Sequence, residues 1–126
     1  MISSPERRAV EEAVFFVDQL SAAGMHRCGV IVNRVHPRDS AKVDVAEIIG
    51  QLTPALGGPL AARVAHTHAE VQLLARRDAA AVNRLRRALR GPDPVRLAER
   101  EREVRSLKGL LELCDELFGR PRTRVT

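Results

Sequence analysis

The most apolar stretch of the sequence, Cys28-Gly29-Val30-Ile31-Val32, runs straight into Asn33-Arg34-Val35-His36-Pro37. The polarity changes abruptly there. The carboxamide of Asn33 offers one acceptor and two donors, the complement of the exocyclic amine and a ring nitrogen of adenine. The alternative is local: an asparagine after a strand also caps the next turn with its side chain. The other chemistry-bearing groups are scattered. His66 and His68 form an HxH pair, but two residues apart on a helix they diverge, so exposed polar positions are expected rather than chelation. His26 and His36 flank the apolar run with no carboxylate or Cys at ligand spacing, and no metal is expected. Glu11, Glu12 and Asp18 lack a partner for acid–base work. Arg76, Arg77, Arg84, Arg86, Arg87 and Arg90 make a basic cluster in which Arg76, Arg84 and Arg87 can share a face able to grip phosphates. The acid Asp78 in its midst and the lack of stacking aromatics favour a solvated surface instead.

These residues need elements to hold them. Ser4 reads as a helix cap with Pro5 in the first turn, and Val10, Ala13, Val14, Val17 and Leu20 recur at helical spacing until Gly24 supplies a stop. Residues 28–32 read as a strand covered on both faces, the habit of parallel sheets. A helix over about 43–56 presents Val45, Ile48, Ile49 and Leu52, and Gly57-Gly58-Pro59 breaks it. Residues 60–89 contain no Gly or Pro and predict a long helix with the stripe Val64, Val71, Leu74, Val82, Leu85 and Leu89, open to a break near Thr67 or Asp78. Gly91-Pro92-Asp93-Pro94 ends it. Residues 95–98 read as a short strand, and 106–118 as a last helix burying Leu107, Leu110, Leu111, Cys114 and Leu117, stopped by Gly119. The order is α/β, mostly helical, with about two short strands. Met1-Ile2 reads as the end of a further strand, and two strands are too few to cover these helices. Both features predict an incomplete fold.

The chain has 126 residues and an apolar fraction of 44 %, enough for one soluble domain. Three Phe and no Tyr or Trp mean that the core is aliphatic. No apolar run reaches membrane-spanning length, and no secretory signal opens the sequence. Cys28 and Cys114 match no ligand spacing and are expected as buried thiols in a reducing cytoplasm. The net charge is +5, and all the basic residues but Lys42 and Lys108 are Arg. That balance suits a nucleic-acid binder, yet with abundant Ala, Val and Leu it equally suits a GC-rich coding sequence.

The segment SSPERRAVEEAVFFVDQLSAAGMHRCGVIVNRVHP resembles the stretch of ArsA-family (arsenite- or anion-transporting) ATPases that follows a central strand. In that family a Pro-Glu helix start leads to an acidic and apolar helix, then to a buried strand ending in Val-Asn-Gln or Val-Asn-Arg. The actinobacterial type often reads VVNRVHP, close to Ile31 to Pro37. At the other end, REVRSLKGLLELCDELFG is similar to the family's closing helix, and the helix from Ala69 to Leu89 to its long Arg-containing helix. The sequence departs from the pattern at Ala98, where Pro is usual, and at Ser106, where Gly is usual.

The resemblance implies the C-terminal part of a parallel-sheet P-loop NTPase fold over 1–118, with a flexible basic tail over 119–126. It implies an ATP site whose adenine meets Asn33, with Arg34, Pro37 and Ala98 beside the base, and Mg carried by a portion of such enzymes not present in this sequence. No glycine here opens a GxxxxGK[ST] loop, so the chain is expected not to hydrolyse ATP alone. Expected partners are an ArsA-like subunit or a second copy, in the cytoplasm. Two alternatives stand beside this reading: a non-catalytic module docking on a complete ATPase, and a basic helical nucleic-acid binder.

Overall fold

The computed structural model describes residues 1–25, 29–39, 44–89, 91–100 and 103–119. Seven elements follow one another: β1 (Ile2–Ser3), α1 (Arg7–Ala22), β2 (Ile31–Val35), α2 (Val45–Leu56), α3 (Gly58–Leu89), β3 (Val95–Ala98) and α4 (Leu107–Phe118). The fold is α/β and mostly helical. Its strands form one parallel sheet in the order β1-β2-β3. The chain divides into two compact units, one of residues 1–35 and 79–126, the other of residues 36–78. Among the described residues, no helix is long and apolar enough to cross a membrane.

The first unit contains the sheet. Val10, Ala13 and Val17 of α1, Val30 and Val32 around β2, and Val82, Leu85 and Leu89 of α3 form one buried cluster. Monotonic strand order with right-handed crossovers puts α1 and the end of α3 on one face, which is why they share this cluster. Burying each of the valine and leucine side chains stabilises the fold by about 1.5–3 kcal/mol. Side chains alternate along a strand, so Ile31, between Val30 and Val32, belongs to the opposite face. Ile2 and Val95 are its register partners. Ile2 is 71 % exposed. On β3, which α4 contacts, Leu97 is buried.

α1 begins later than its sequence signature. Glu6, not Ser4, is the cap residue, Pro5 is buried ahead of it, and Glu6 O accepts from Val10 N–H (2.9 Å). Ser3 is held elsewhere, its hydroxyl 3.3 Å from Ala9 O. Gly24 takes φ 70°, the left-handed conformation that a helix stop demands.

In the second unit, only Gly57 separates two helices. It adopts φ 76°, and its carbonyl accepts from Ala61 N–H, so Gly58 and Pro59 form the first turn of α3 rather than a break before it. α3 then continues unbroken past Thr67 and Asp78. The buried hydrophobic residues of α3 within this unit are Ala61, Ala65 and Ala75, not the predicted Val64, which is 40 % exposed. Val64 stands one position off the line that those alanines define, so the stripe that hydropathy favours and the stripe that packs differ.

α4 departs most from expectation. None of its residues is buried, and Leu107, Leu110, Leu111 and Phe118 are 51–84 % exposed. Cys114, expected as a small core residue, is exposed too. The helix does have its cap, since Gly109 N–H donates to Ser106 Oγ (3.1 Å). Cys28 and His26, and residues 120–126 of the expected tail, lie outside the described residues.

Candidate functional site

The carboxyl ends of β2 and β3 gather three of the four residues expected around a base. β2 does not stop at Val32. It continues to Val35 through an irregularity, with Val32 opposite Arg96 and Val35 opposite Ala98. Three steps on β2 against two on β3 make a bulge of one residue. The bulge is achieved by Arg34, whose φ of 62° is the one positive value among the described non-glycine residues. Asn33 supports it: Arg34 N–H donates to Asn33 Oδ1 (2.9 Å). The asparagine therefore has the local role that its sequence also allowed. Its side chain is exposed, and its NH2 makes no hydrogen bond to a described residue.

Arg34 is not a free cation. Its Nε reaches Glu99 Oε2 (3.0 Å) and its Nη2 reaches Oε1 (3.3 Å), a forked contact. Those hydrogen bonds and the carboxylate's charge raise the guanidinium's pKa further. Glu99 is fixed in turn by its backbone, whose N–H donates to Val35 O (2.8 Å). Ala98 ends β3, exposed, with its N–H directed to Glu116 Oε2 of α4 (3.4 Å). Arg100 joins the same carboxylate (2.6 Å) and reaches Glu112 (3.5 Å). The sheet edge is thus a lattice of alternating charges that ties β3 to α4, with the Asn33 carboxamide as its open donor. Pro37, the fourth expected residue, is exposed and belongs to the second unit.

That second unit holds an arrangement the sequence did not announce. Asp78 of α3 has no exposed surface. Its Oδ2 accepts from His36 N–H (3.0 Å) and stands 2.7 Å from His36 Nδ1, while Arg77 Nη2 lies 3.4 Å from Oδ1. Burial pushes the carboxyl pKa up, but both hydrogen bonds and the charge of His36, with Arg77, outweigh it and hold Asp78 below the ordinary carboxylate value. One turn and more toward the start of α3, Gln72 Oε1 accepts from Asp39 N–H (3.1 Å) and His68 Nε2 meets Asp39 Oδ2 (3.3 Å). His36 is therefore not without a carboxylate partner, and His68 is not a bare surface residue as expected; it is 34 % exposed, whereas His66 is exposed. The signal was present in the spacing. Asp78 falls in line with Ala75, Val82 and Leu85 on the buried face of α3, where an acid demands partners.

Three arginines of the basic cluster on α3 are paired, and Arg90 lies outside the described residues. Arg84 meets Glu11 (3.5 Å), Arg86 meets Asp93 (4.0 Å) and Arg77 meets Asp78. Arg87 instead lines an open cleft of about 460 Å³ with Val14, Asp18 and Ser21 of α1. α1 leads into β2 and α3 into β3, so this cleft lies toward the amino ends of the strands, the edge where open parallel sheets do not bind ligands. No protein-family model matches the sequence, and no curated protein matches it.

Proposed function

We propose that this chain contributes the adenine side of a nucleotide site and does not hydrolyse ATP by itself, as the C-terminal part of an ArsA-like ATPase. The observation that carries the reading is Asn33: an exposed carboxamide with unpaired donors, near the carboxyl end of the middle strand of a parallel sheet. Ligands of open α/β sheets sit at that edge. The donor set fits the acceptor nitrogens of a base, but only in part. Asn33 Oδ1 already accepts from Arg34, Arg34 is neutralised by Glu99, and the Ala98 N–H is turned to Glu116. One donor group gives weak affinity. Most nucleotide binding energy comes from a phosphate cradle and Mg, and the sequence contains no GxxxxGK[ST] loop to form one. A partner polypeptide, an ArsA-like subunit or a second copy, would have to supply it.

Saturation-transfer NMR with adenosine and with ATP tests the base contact. The adenine protons are expected to receive saturation from the wild-type chain and to lose it in Asn33→Ala. Equal signals from both proteins, or none from either, would sink the reading. Phosphate release by the pure chain would overturn the non-catalytic part.

The exposed apolar residues of α4 favour the second reading, a module that docks on an ATPase. Co-purification with a P-loop protein supports that reading, and a chain that stays monomeric and alone counts against it. The nucleic-acid reading draws less support, because Arg77, Arg84 and Arg86 are engaged by carboxylates. It predicts steeply salt-dependent retention of DNA or RNA that weakens in Arg84→Ala and Arg87→Ala.

A further inference from the structure

We propose that His36 is a nucleophilic histidine, reactive through Nε2 toward carbonyl electrophiles, with Asp78 as its positioning residue. The inference is independent of nucleotide binding. It rests on four facts. Asp78 Oδ2 lies 2.7 Å from Nδ1 and also accepts the backbone N–H of the same residue at 3.0 Å, so two contacts fix the ring against one oxygen. The carboxylate has no exposed surface, so no water competes for that oxygen. The imidazole side chain is 26 % exposed. Nε2 makes no hydrogen bond to a described residue, and among the described residues no buried side-chain nitrogen or oxygen lacks a partner, so Nε2 is open to solvent.

The chemistry follows from the donor–acceptor rules. An ionised carboxylate only accepts, so Nδ1 must carry a proton. In the neutral ring this leaves the lone pair on Nε2. A ring held in one tautomer by a buried third group, with its other nitrogen in solvent, has the layout of an activated base or nucleophile. The neighbouring charges are Arg77, which also touches Asp78, and, on the segment that follows His36, exposed Arg38 and Asp39, the latter paired with His68 of α3.

With diethyl pyrocarbonate the step is balanced. The Nε2 lone pair attacks one carbonyl carbon, forming an N–C bond as the C–O bond to ethyl carbonate breaks. The Nδ1 proton passes to solvent, and the departing carbonate takes up a proton and decomposes to ethanol and carbon dioxide. Peptide mass spectrometry of the whole chain follows each histidine in time. His36 is expected to react faster than exposed His66, and Asp78→Asn to slow it by about tenfold or more, since the amide lacks the charge that stabilises the cationic ring formed as Nε2 attacks. Nitrogen-15 NMR should show the Nδ1–H tautomer in wild type. His36→Gln identifies the adduct by removing it. If His36 reacts more slowly than His66 in the unmodified protein, or speeds up in Asp78→Asn, then Asp78 is only an anchor and the proposal is overturned. The wild-type comparison stands even if a variant does not fold.

Discussion

Asp78 and His36 are 42 residues apart in sequence, yet one carboxylate oxygen of the first receives both the backbone and the ring nitrogen of the second. The pair joins the segment that leaves β2 to the middle of α3, within the unit of residues 36–78.

Breaking this pair from either side should be costly. His36→Ala leaves a buried carboxylate with its ring partner gone, and a loss of about 3 kcal/mol is expected. Asp78→Asn keeps an acceptor for the backbone N–H and should cost less. Urea unfolding followed by far-UV circular dichroism measures both, the chain having no Tyr or Trp for fluorescence. Equal and small losses would show that the contact is dispensable.

The same pair sets an acid limit. The folded pKa of Asp78 lies below its ordinary 3.8, so the folded state holds this carboxylate ionised more readily than the unfolded chain does. Its contribution is complete well above 3.8 and disappears as pH falls through that value and below it. Unfolding midpoints should therefore drop between pH 5 and pH 3, and the part of the drop due to Asp78 should be missing from Asp78→Asn. A variant with an unchanged pH profile would assign the acid sensitivity to other carboxylates.

At the bulge, Arg34→Gly should raise stability slightly. A non-glycine residue in the left-handed region costs about 1 kcal/mol, and the pairing with Glu99 that is lost is solvent-exposed and screened. Glu99→Gln should leave the unfolding midpoint nearly unchanged. If Arg34→Gly is clearly destabilising, the forked contact matters more than its exposure indicates.

Leucines of similar appearance should behave in opposite ways. Leu85→Ala, in the buried cluster, is expected to cost about 2–5 kcal/mol. Leu110→Ser and Leu111→Ser, on exposed positions of α4, should stay within about 0.5 kcal/mol of wild type. Thermal melts of the three variants make the comparison, and a large loss in either serine variant would mean that α4 is packed more tightly than described.

The sequence made the first-unit core readable. Val10, Ala13 and Val17 stand at helical spacing, and the β-branched run around Val32 announces a covered strand, because burial of a whole face imposes periodicity. Gly24 was equally plain, since a left-handed stop selects glycine. α4 shows the limit of such reasoning. Its leucines have the period of a buried face, but periodicity records that a face is apolar, not what lies against it. β1 was visible as Met1-Ile2 at a strand's end, though two residues carry no alternation to read. At the candidate site, the local role of Asn33 in the turn was legible in its chemistry, whereas the capture of Arg34 by Glu99 and of His36 by Asp78 depends on contacts across 65 and 42 residues. Local pattern contains no trace of such pairings, apart from an acid standing in an apolar row.

The extra residue in β2 also has a meaning for parity. Val32 and Val35 are separated by an odd number of steps, and in an unbroken strand they would point to opposite sides. Yet Val32 lies in the buried cluster and Val35 packs against it. The left-handed turn at Arg34 restores the phase, so that Asn33 and Arg34 are both spared a place inside. Removing one residue here would not merely shorten the strand; it would leave one outward position between Val32 and Val35 where there are now two.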